Sequence, residues 1–459
     1  MLGIYKSSFR VFQRNQSTIT SHFLIKTIMA FSIQVISTKT IKPSSPTPQN
    51  LSHHKLCLLG QLIPPVYGCF ILFYPPVPEH SIDQVHERLM SSLSSALIHF
   101  YPLAGRILDG LSINCSDNGV CYVAALASVE LSEFVNDQIQ APGQLVTLLP
   151  IQKRSPDIAD QVLMGVQVTS FACGGIAIGI SVWHQVSDAS TRVSFLKTWA
   201  AICRGEVGHD HVPMDGIVTD CSSAFPPREP ERVPEFQKPT EELVTNKFSF
   251  DASKIASLRE KIGNGKAADR PTRYEALTAL IWGATISINQ DKFPIPSGKF
   301  SYKISMVEMR NKANPPLPQH CMGNIVYPAI EKWEMDKAVD HQELAAKVRH
   351  SIRMVNEEYV ISRSSENPYT QMHVDHVKDG GAGPCGFTSY CRLPFYEIDF
   401  GFGKPSLMAP YASVKGVTMF VDAKDGEGIE AWVTFSKQDM AKFEQDPGII
   451  KYAKFCNSF

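Results

Sequence analysis

The chain has 459 residues, which is too long for one ordinary core and predicts two domains of about 200 residues each. Its formal net charge of −1 argues against a nucleic-acid partner, because binding a duplex needs a concentrated basic surface. The 11 cysteines form no C-x-x-C pair and no apolar run approaches the ~20 residues that span a bilayer, so we expect a cytoplasmic protein with reduced thiols and no membrane partner.

The first 28 residues differ in composition from the rest of the chain. They carry basic and hydroxyl side chains but no acid, and the first acidic residue is Glu79. Residues 1–28 fit a transit peptide for import into an organelle, and they fit equally well an upstream extension of the gene. We favour the extension with a true start at Met29, because Met29 leads directly into the strand-like run from Ile33 to Ser37.

The segment that follows predicts strands, one helix and a hairpin. An apolar and aromatic run from Leu62 to Tyr74 predicts a buried strand. Ser81 then caps a helix, and Asn118-Gly119 stands between two strand-like runs and predicts a hairpin. The helix carries its apolar positions on one face, at Val85, Leu89, Leu93 and Leu97.

The run from Ile176 to Trp183 alternates as a strand does. One face is aliphatic, and the other carries small residues such as Gly179 and Ser181 before it reaches Trp183. The small face either lets a ligand arm lie close to the backbone or packs tightly against other structure, and the sequence leaves both open. His184 follows the end of this strand, and Asp188 comes four residues later, just before a predicted helix.

His184 is the candidate catalytic base. A histidine at a strand exit reaches a cleft while its backbone stays fixed in the sheet, and its ordinary pKa suits the removal of a hydroxyl proton. The alternative is a hydrogen-bonded histidine of the core. Asp188 either pairs with the ring or holds the turn by pairing with a distant arginine. We favour the structural role, because a side chain four residues after the strand end points away from the ring.

Residues 206–240 divide the chain. They contain six prolines in a polar, charge-rich segment, which is interpreted as a crossover linker between domains over 29–205 and 241–459. In the second domain Thr272 and Glu275 predict a capping box at the start of a helix. Residues 357–386 predict a loop, and strands return over 387–398 and 417–435. Strands interspersed with helices predict an α/β (α+β) fold.

Several segments carry a resemblance to one family. They are residues 45–49, 101–106, 184–188, 314–318, 322–324 and 391–405, and the last ends in Asp399-Phe400-Gly401-Phe402-Gly403-Lys404-Pro405. On these motifs the chain resembles the plant BAHD acyltransferases, which depend on coenzyme A, over essentially its whole length from Met29. Residues 45–49 and the run from Cys391 to Tyr396 are most similar to the alkaloid-acylating branch of that family.

The resemblance implies a fold and an activity. The fold has two domains, each similar to a chloramphenicol acetyltransferase, with a channel between them and His184 at its centre. The activity is O-acetyl transfer from acetyl-CoA to a hydroxyl of an alkaloid, without a metal or an acyl-enzyme, in a monomer. Two alternative hypotheses are transfer from a malonyl or other acyl donor, and isomerisation or cyclisation of an alkaloid by the same fold. A third is a non-catalytic binding protein.

The resemblance also implies roles for individual residues. Asp399, Gly401 and Gly403 form a structural motif near the coenzyme side, and Asp188 pairs with Arg310. Thr388 and Tyr390 lie near the developing oxyanion. The chain departs from the family at Trp183, where relatives carry a small or polar residue, at Ala189 for glycine, and at Tyr390 and Phe402 for tryptophan. Trp183 either reshapes the acceptor pocket or packs in the core.

Two further sets of residues are candidate binding sites. Arg273 stands beside Thr272 at a helix start, where it either meets a phosphate of coenzyme A or is an ordinary surface arginine. His373, Asp375 and His376 share one polar loop, and His53-His54 lie in another. Without an H-E-x-x-H motif or paired cysteines, these histidines are interpreted as surface residues and no metal site is predicted.

Overall fold

A computed structural model describes residues 31–76, 81–138, 143–150, 154–206, 218–229, 241–265, 270–292, 299–318, 320–372, 383–412 and 414–455. The predictions for residues 1–28 and for His373, Asp375 and His376 lie outside these ranges, as does most of the predicted linker. Within them, none of the helices combines the length and the apolar content needed to cross a membrane.

Strands supply most of the framework. In chain order they are β1 (Ile33–Ile41), β2 (His53–Lys55), β3 (Tyr67–Tyr74), β4 (Arg106–Ile107), β5 (Ser112–Asn114), β6 (Val120–Ala127), β7 (Met164–Ser170), β8 (Ile176–Trp183), β9 (Leu243–Phe250), β10 (Phe300–Glu308), β11 (Val326–Glu334), β12 (Cys385–Ser389), β13 (Leu407–Tyr411), β14 (Val417–Asp422), β15 (Ile429–Ser436) and β16 (Lys454–Phe455). They form two large sheets and one small one. The strand orders are β1-β6-β7-β8-β3-β13, β11-β10-β12-β14-β15-β9-β16 and β2-β5-β4.

Helices pack against both large sheets. They are α1 (Leu58–Gln61), α2 (Ile82–His99), α3 (Leu131–Glu133), α4 (Ala189–Cys203), α5 (Ala252–Ile262), α6 (Arg273–Lys292), α7 (His341–Met354), α8 (Glu357–Ser362), α9 (Lys437–Phe443) and α10 (Pro447–Tyr452). The cap predicted at Ser81 is formed, as a capping box with Gln84, and so is the capping box predicted for Thr272 and Glu275. Strands and helices in both halves of the chain confirm the mixed α/β class.

Strand β8 is the element that carries the active-site motif to its position. Every residue from Ile176 to Trp183 is buried, and β7 and β3 flank the strand on its two edges. A methyl group at Gly179 would collide with the carbonyl oxygen of Leu148. The small face of β8 is therefore explained by tight backbone packing at this position, which is one of the two alternatives that the sequence left open.

The predicted hairpin at Asn118-Gly119 is wrong. Strand β5 pairs with β2 and β4, whereas β6 pairs with β1 and β7 in the large sheet, so the two runs are not partners. The hairpin lies one turn earlier, where Asp109 Oδ1 accepts bonds from two backbone amides and joins β4 to β5. Because β6 is buried along most of its length, it pairs inside the larger sheet instead.

Two further boundaries differ from the predictions. The buried strand expected from Leu62 begins only at Tyr67, because Pro64 and Pro65 have no amide hydrogen to give to a ladder. Residues 357–386 are not simply a loop. Helix α8 is capped by Asn356, whose side chain accepts from the Tyr359 amide at 2.8 Å, and residues 368–372 are also helical.

Candidate active site

His184 lies at the end of β8, at the start of a short 3₁₀ turn. Its backbone amide donates to the Val66 carbonyl oxygen at 2.9 Å, and the next side chain, Gln185, donates to the Ile63 carbonyl oxygen at 3.2 Å. The backbone is thus anchored on both sides of the residue. His184 is only partly buried, whereas Asp188 of the same motif is fully buried.

Asn324 holds the imidazole. Its Nδ2 atom lies 2.8 Å from the His184 carbonyl oxygen and 3.0 Å from Nδ1 of the ring. Since a carbonyl oxygen only accepts, the NH₂ group faces the histidine, and the same group donates to Nδ1. In this arrangement the neutral ring carries its proton on Nε2. The Oδ1 atom of Asn324 is buried and has no hydrogen-bond partner among the described residues.

The charge state of His184 follows from its surroundings. Burial, followed by the nearby Arg192 guanidinium, lowers the pKa of His184 to about 3. The ring is therefore neutral at physiological pH, which a general base requires.

Asp188 faces away from the ring and fixes the turn. Its Oδ1 accepts from the Thr191 amide at 2.8 Å and so caps α4, while its Oδ2 accepts from Arg310 Nη1 at 2.7 Å and from the Ile325 amide at 2.9 Å. The ion pair expected between Asp188 and Arg310 is thus formed, and both side chains are buried. It ties β8 and α4 to the segment that carries Asn324.

The same network sets the charge of the aspartate. Burial alone would raise the pKa of Asp188, but the Arg310 guanidinium and the two backbone donors outweigh it and hold the pKa below its ordinary value. Glu308 gives Arg310 a second carboxylate partner at 2.9 Å. Asp188 therefore remains ionised and fully engaged, so it serves this network rather than the imidazole.

Arg192 is a buried cation beside the candidate base. Its Nη2 donates to the Ser187 carbonyl oxygen at 2.7 Å, and its guanidinium lies against Gly68, where a methyl group would collide with it. In the described part of the chain it forms no ion pair, and its Nε donor is buried without a partner. A buried arginine without a carboxylate is costly, so this group points to an anion that arrives with a substrate or forms during a reaction.

Tyr390 comes from the other half of the chain to the same place. Its backbone amide donates to the Phe420 carbonyl oxygen at 2.7 Å, and its ring packs on Phe395 with centroids 5.6 Å apart. Burial raises the pKa of the Tyr390 hydroxyl above its ordinary value, although the adjacent Arg192 guanidinium acts in the opposite direction. Thr388 lies two residues earlier on β12 and is only partly buried.

Trp183 packs inside the protein. It is fully buried, it meets Tyr67 edge to face at 5.2 Å between centroids, and its Nε1 donates to Gln185 Oε1 at 2.9 Å. Of the two alternatives for this departure, core packing agrees with these contacts. The hydrogen bond to Gln185 connects Trp183 to the residue that follows His184.

The second motif forms a separate loop. Asp399 Oδ1 accepts from the amides of Gly401 at 2.7 Å and Gly403 at 3.0 Å, and both glycines have φ near +95°, a region that other residues rarely adopt. The Asp399 carbonyl oxygen accepts from Arg204 at the end of α4. Phe402, which replaces the tryptophan of the family, meets Tyr74 edge to face at 5.1 Å.

Arg273 is occupied by the protein itself. It is the first residue of α6, between Thr272 and Glu275 of the capping box, and it donates to the Glu427 carbonyl oxygen at 3.0 Å and lies 3.5 Å from Asp422. Its side chain remains one-third exposed. The phosphate role of Arg273 and Thr272 therefore stays a prediction, and neither residue is part of the cluster around His184.

Two residues of this cluster were missed from the sequence. Asn324 stands in a segment that supported the resemblance, but nothing in its position revealed that it contacts a histidine 140 residues away. Arg192 lies four residues after Asp188, a spacing that predicts a helical ion pair. Asp188 pairs with Arg310 instead, because its side chain turns toward the second half of the chain.

Comparisons with known proteins identify the family and the fold of this chain. The model of the Transferase family matches residues 31–449. A limonoid 21-O-acetyltransferase of Citrus sinensis is 36% identical over 92% of this chain and 98% of that protein, and the stemmadenine O-acetyltransferase of Catharanthus roseus is 32% identical over 91% and 97%. The crystal structure of vinorine synthase matches with a TM-score of 0.78 and 29% identity, covering 93% of this chain and 100% of that one.

The vinorine synthase structure matches over almost the whole of both chains, so the two-domain α/β architecture expected from the motifs is confirmed. The family takes acyl groups from coenzyme A thioesters. The chain belongs to the BAHD acyltransferases of the Transferase family and is an acyl-CoA-dependent acyltransferase.

Proposed function

We propose that this enzyme transfers an acetyl group from acetyl-CoA to a hydroxyl of a polycyclic plant metabolite, with His184 as the general base. The observation that carries the proposal is the half-buried imidazole, neutral and anchored at a strand end, beside a buried guanidinium. Relatives named as O-acetyltransferases that align along nearly the whole chain support the acetyl donor.

Each step of the transfer has a residue to serve it. His184 Nε2 takes the proton as the hydroxyl oxygen attacks the thioester carbonyl carbon. The tetrahedral oxyanion that forms is stabilised by the unpaired Nε–H of Arg192 and the Tyr390 hydroxyl beside it. When the C–S bond breaks, the leaving thiolate takes the proton back from His184. Both substrates are present together, so no acyl-enzyme forms.

Asn324 must change its contact for this step. In the resting arrangement its NH₂ group occupies Nδ1 and leaves the proton on Nε2, which is the wrong tautomer for a base. A turn of the amide would bring Oδ1, which has no partner, to the ring and let it accept Nδ1–H. Nε2 would then be free to accept. We propose that binding of the two substrates drives this turn.

The acceptor is a hydroxylated alkaloid, as the motifs predict, or a limonoid, as other relatives suggest. Relatives named as limonoid O-acetyltransferases are 35–36% identical to this chain, and the stemmadenine O-acetyltransferase and vinorine synthase are both 32% identical. Electrostatics helps to separate the two. A protonated alkaloid amine would be repelled by Arg192, whereas a neutral limonoid would not be, since Asp188 is already neutralised by Arg310.

A turnover assay by mass spectrometry tests the proposal. Purified enzyme starting at Met29 is mixed with acetyl-CoA and a panel of hydroxylated limonoids, alkaloids and simple alcohols, with His184→Gln as the matched variant. A gain of one acetyl group that the variant lacks supports the proposal. An acceptor changed at constant mass would instead support isomerisation or cyclisation, and no turnover with any donor would support a binding protein.

A second candidate donor is an acyl-CoA that ends in a carboxylate, such as malonyl-CoA. Arg192, which is buried and has no carboxylate partner among the described residues, favours it, because a guanidinium forks well onto a carboxylate. Comparing Arg192→Gln with the wild type separates the two candidates. A loss of rate with both acetyl-CoA and malonyl-CoA supports the oxyanion role, whereas a selective loss with malonyl-CoA supports a carboxylate site.

A further inference from the structure

The hydroxyl of Thr191 spends its whole hydrogen-bonding capacity near the segment that carries Asn324. Thr191 lies in the first turn of α4 and is only 4% exposed. Its Oγ1 donates to the Gly323 carbonyl oxygen at 2.9 Å, and it accepts from the Gly323 amide at 3.3 Å and from Arg310 Nη2 at 3.0 Å. A hydroxyl has one donor site and two acceptor sites, so these three bonds use all of them.

Asn324 stands between two residues whose backbones are held from the start of α4. On one side, the Gly323 carbonyl oxygen accepts from the Asp188 amide at 3.1 Å in addition to the threonine hydroxyl. On the other side, the Ile325 amide donates to Asp188 Oδ2 at 2.9 Å. Gly323 has a φ of +154°, and a glycine backbone has wide freedom, so its position depends on these outside contacts.

The role of Thr191 is separate from that of the buried ion pair. Without the threonine hydroxyl, Arg310 keeps its salt bridge to Asp188, and its Nη2 still donates to the Cys321 carbonyl oxygen at 3.1 Å. The backbone of Gly323, in contrast, loses contacts at both its amide and its carbonyl oxygen. Removal of the hydroxyl therefore loosens the residue before Asn324 and leaves the ion pair in place.

We propose that Thr191 is a positioning residue for His184 and that it acts through Asn324. Its hydroxyl fixes the backbone before Asn324, so that the Nδ2 atom of this side chain stays 3.0 Å from Nδ1 of the imidazole. When the hydroxyl is absent, Gly323 shifts, the Nδ2 atom leaves the ring, and the neutral imidazole samples both of its tautomers. Because Thr191 acts through Asn324, its effect on the rate should disappear when Asn324 is replaced.

The consequence for the reaction rests on the proposed function of His184. The NH₂ group of Asn324 contacts Nδ1 in the resting arrangement, and the proposed turn of the amide brings Oδ1 to the same atom. Both contacts need the backbone of Asn324 to keep its distance from the ring, and the bonds from Thr191 to Gly323 keep it. Loss of the hydroxyl should therefore lower kcat rather than weaken substrate binding, because the base must be aligned in the transition state.

Three variants of α4 separate the hydroxyl from the rest of the side chain. Thr191→Val removes the hydroxyl and keeps the branched shape, whereas Thr191→Ser keeps the hydroxyl and should restore the wild-type behaviour. Thr198→Val is the matched control, because the Thr198 hydroxyl donates to the Ser194 carbonyl oxygen of the same helix at 3.1 Å. The helix cap survives in all three, since Asp188 accepts from the backbone amide of residue 191.

The first readout is the NMR spectrum of the imidazole nitrogens in full-length enzyme with isotopically labelled histidines, with His184→Gln used to assign the signals. We expect the His184 proton on Nε2 in the wild type, Thr191→Ser and Thr198→Val, and a mixture of tautomers in Thr191→Val. A wild-type ring that carries its proton on Nδ1 would overturn the proposal whether or not any variant folds. A wild-type spectrum from folded Thr191→Val would overturn it as well. This readout does not depend on acyl transfer.

The second readout is a double-mutant cycle in kcat and KM. We expect Thr191→Val to lower kcat about tenfold with little change in KM, and to change kcat less than about twofold when Asn324 is already alanine. Thr191→Ser and Thr198→Val should keep the wild-type kcat. An equal loss from Thr191→Val in both backgrounds would show a general structural role and overturn the proposal. If the wild type transfers no acyl group, the proposed function fails, while the tautomer of His184 still decides the role of Thr191.

Discussion

The two sequence motifs each contain an aspartate that holds a turn, but in different surroundings. Asp188 is buried, accepts two backbone amides and faces the buried cation Arg310. Asp399 is only half-buried and accepts two glycine amides of its own loop. Each motif aspartate thus holds the backbone of a turn, and its contribution to stability depends on the charge buried opposite it.

Replacement of the buried aspartate should have the larger effect. Asp188→Ala leaves Glu308, which is partly exposed, as the remaining carboxylate partner of Arg310. We expect the free energy of unfolding to fall by about 3 kcal/mol. Asp340→Ala is the matched control, because Asp340 also caps a helix but has no arginine partner, and its loss should cost about 1 kcal/mol. Equal losses in chemical denaturation would refute the special role of the Asp188–Arg310 pair.

Removal of the side chain that holds the ring should affect turnover rather than binding. In Asn324→Ala, His184 loses both of its contacts to the amide, and we expect kcat to fall by about 10² with little change in KM. Steady-state kinetics of the variant and the wild type measure both constants, and the two proteins should have the same melting temperature. A variant that keeps its kcat would show that the imidazole is aligned by the sheet alone.

Acid should destabilise the first half of the chain through a buried histidine. His54, which the sequence indicated as a surface residue, is in fact buried on β2, and this burial lowers its pKa to about 4, although Asp220 acts against it. The unfolded chain binds a proton below pH 6.5 that the folded chain does not, so stability is lost as the pH falls from 6.5 towards 4. At pH 5 the loss is about 2 kcal/mol. Denaturation at pH 7 and pH 5 of the wild type and His54→Gln measures it, and an equal loss in both would contradict the assignment.

Replacement of the half-buried aspartate should have the smallest effect. Asp399→Ala removes two hydrogen bonds from a half-buried loop, and we expect a loss of about 1 kcal/mol in the free energy of unfolding. A loss as large as that of Asp188→Ala would show that the buried arginine opposite Asp188 does not make its contribution to stability the larger one.

The sequence predicted well what depends on local pattern. Strand β8 and the cap at Ser81 follow from alternation and from hydrogen bonds within a few residues. The ion pair between Asp188 and Arg310 was also predicted correctly, but only from the resemblance to the family. Neither Asn324 nor Arg192 was identified. The histidine that Asn324 contacts lies across the fold, and the Nε atom of Arg192 has no partner among the described residues. The hairpin at Asn118-Gly119 failed because a turn signal does not say which strands become partners.

The central claim is that His184 acts as the base of an acyl transfer. The most direct measurement is the rate of coenzyme A release, followed by a thiol reagent, with acetyl-CoA and the best acceptor from the panel, for the wild type and His184→Gln. We predict a rate lower by 10²–10⁴ in the variant at an unchanged melting temperature, because a positioned base contributes on that order. A variant that releases coenzyme A at the wild-type rate would contradict the account.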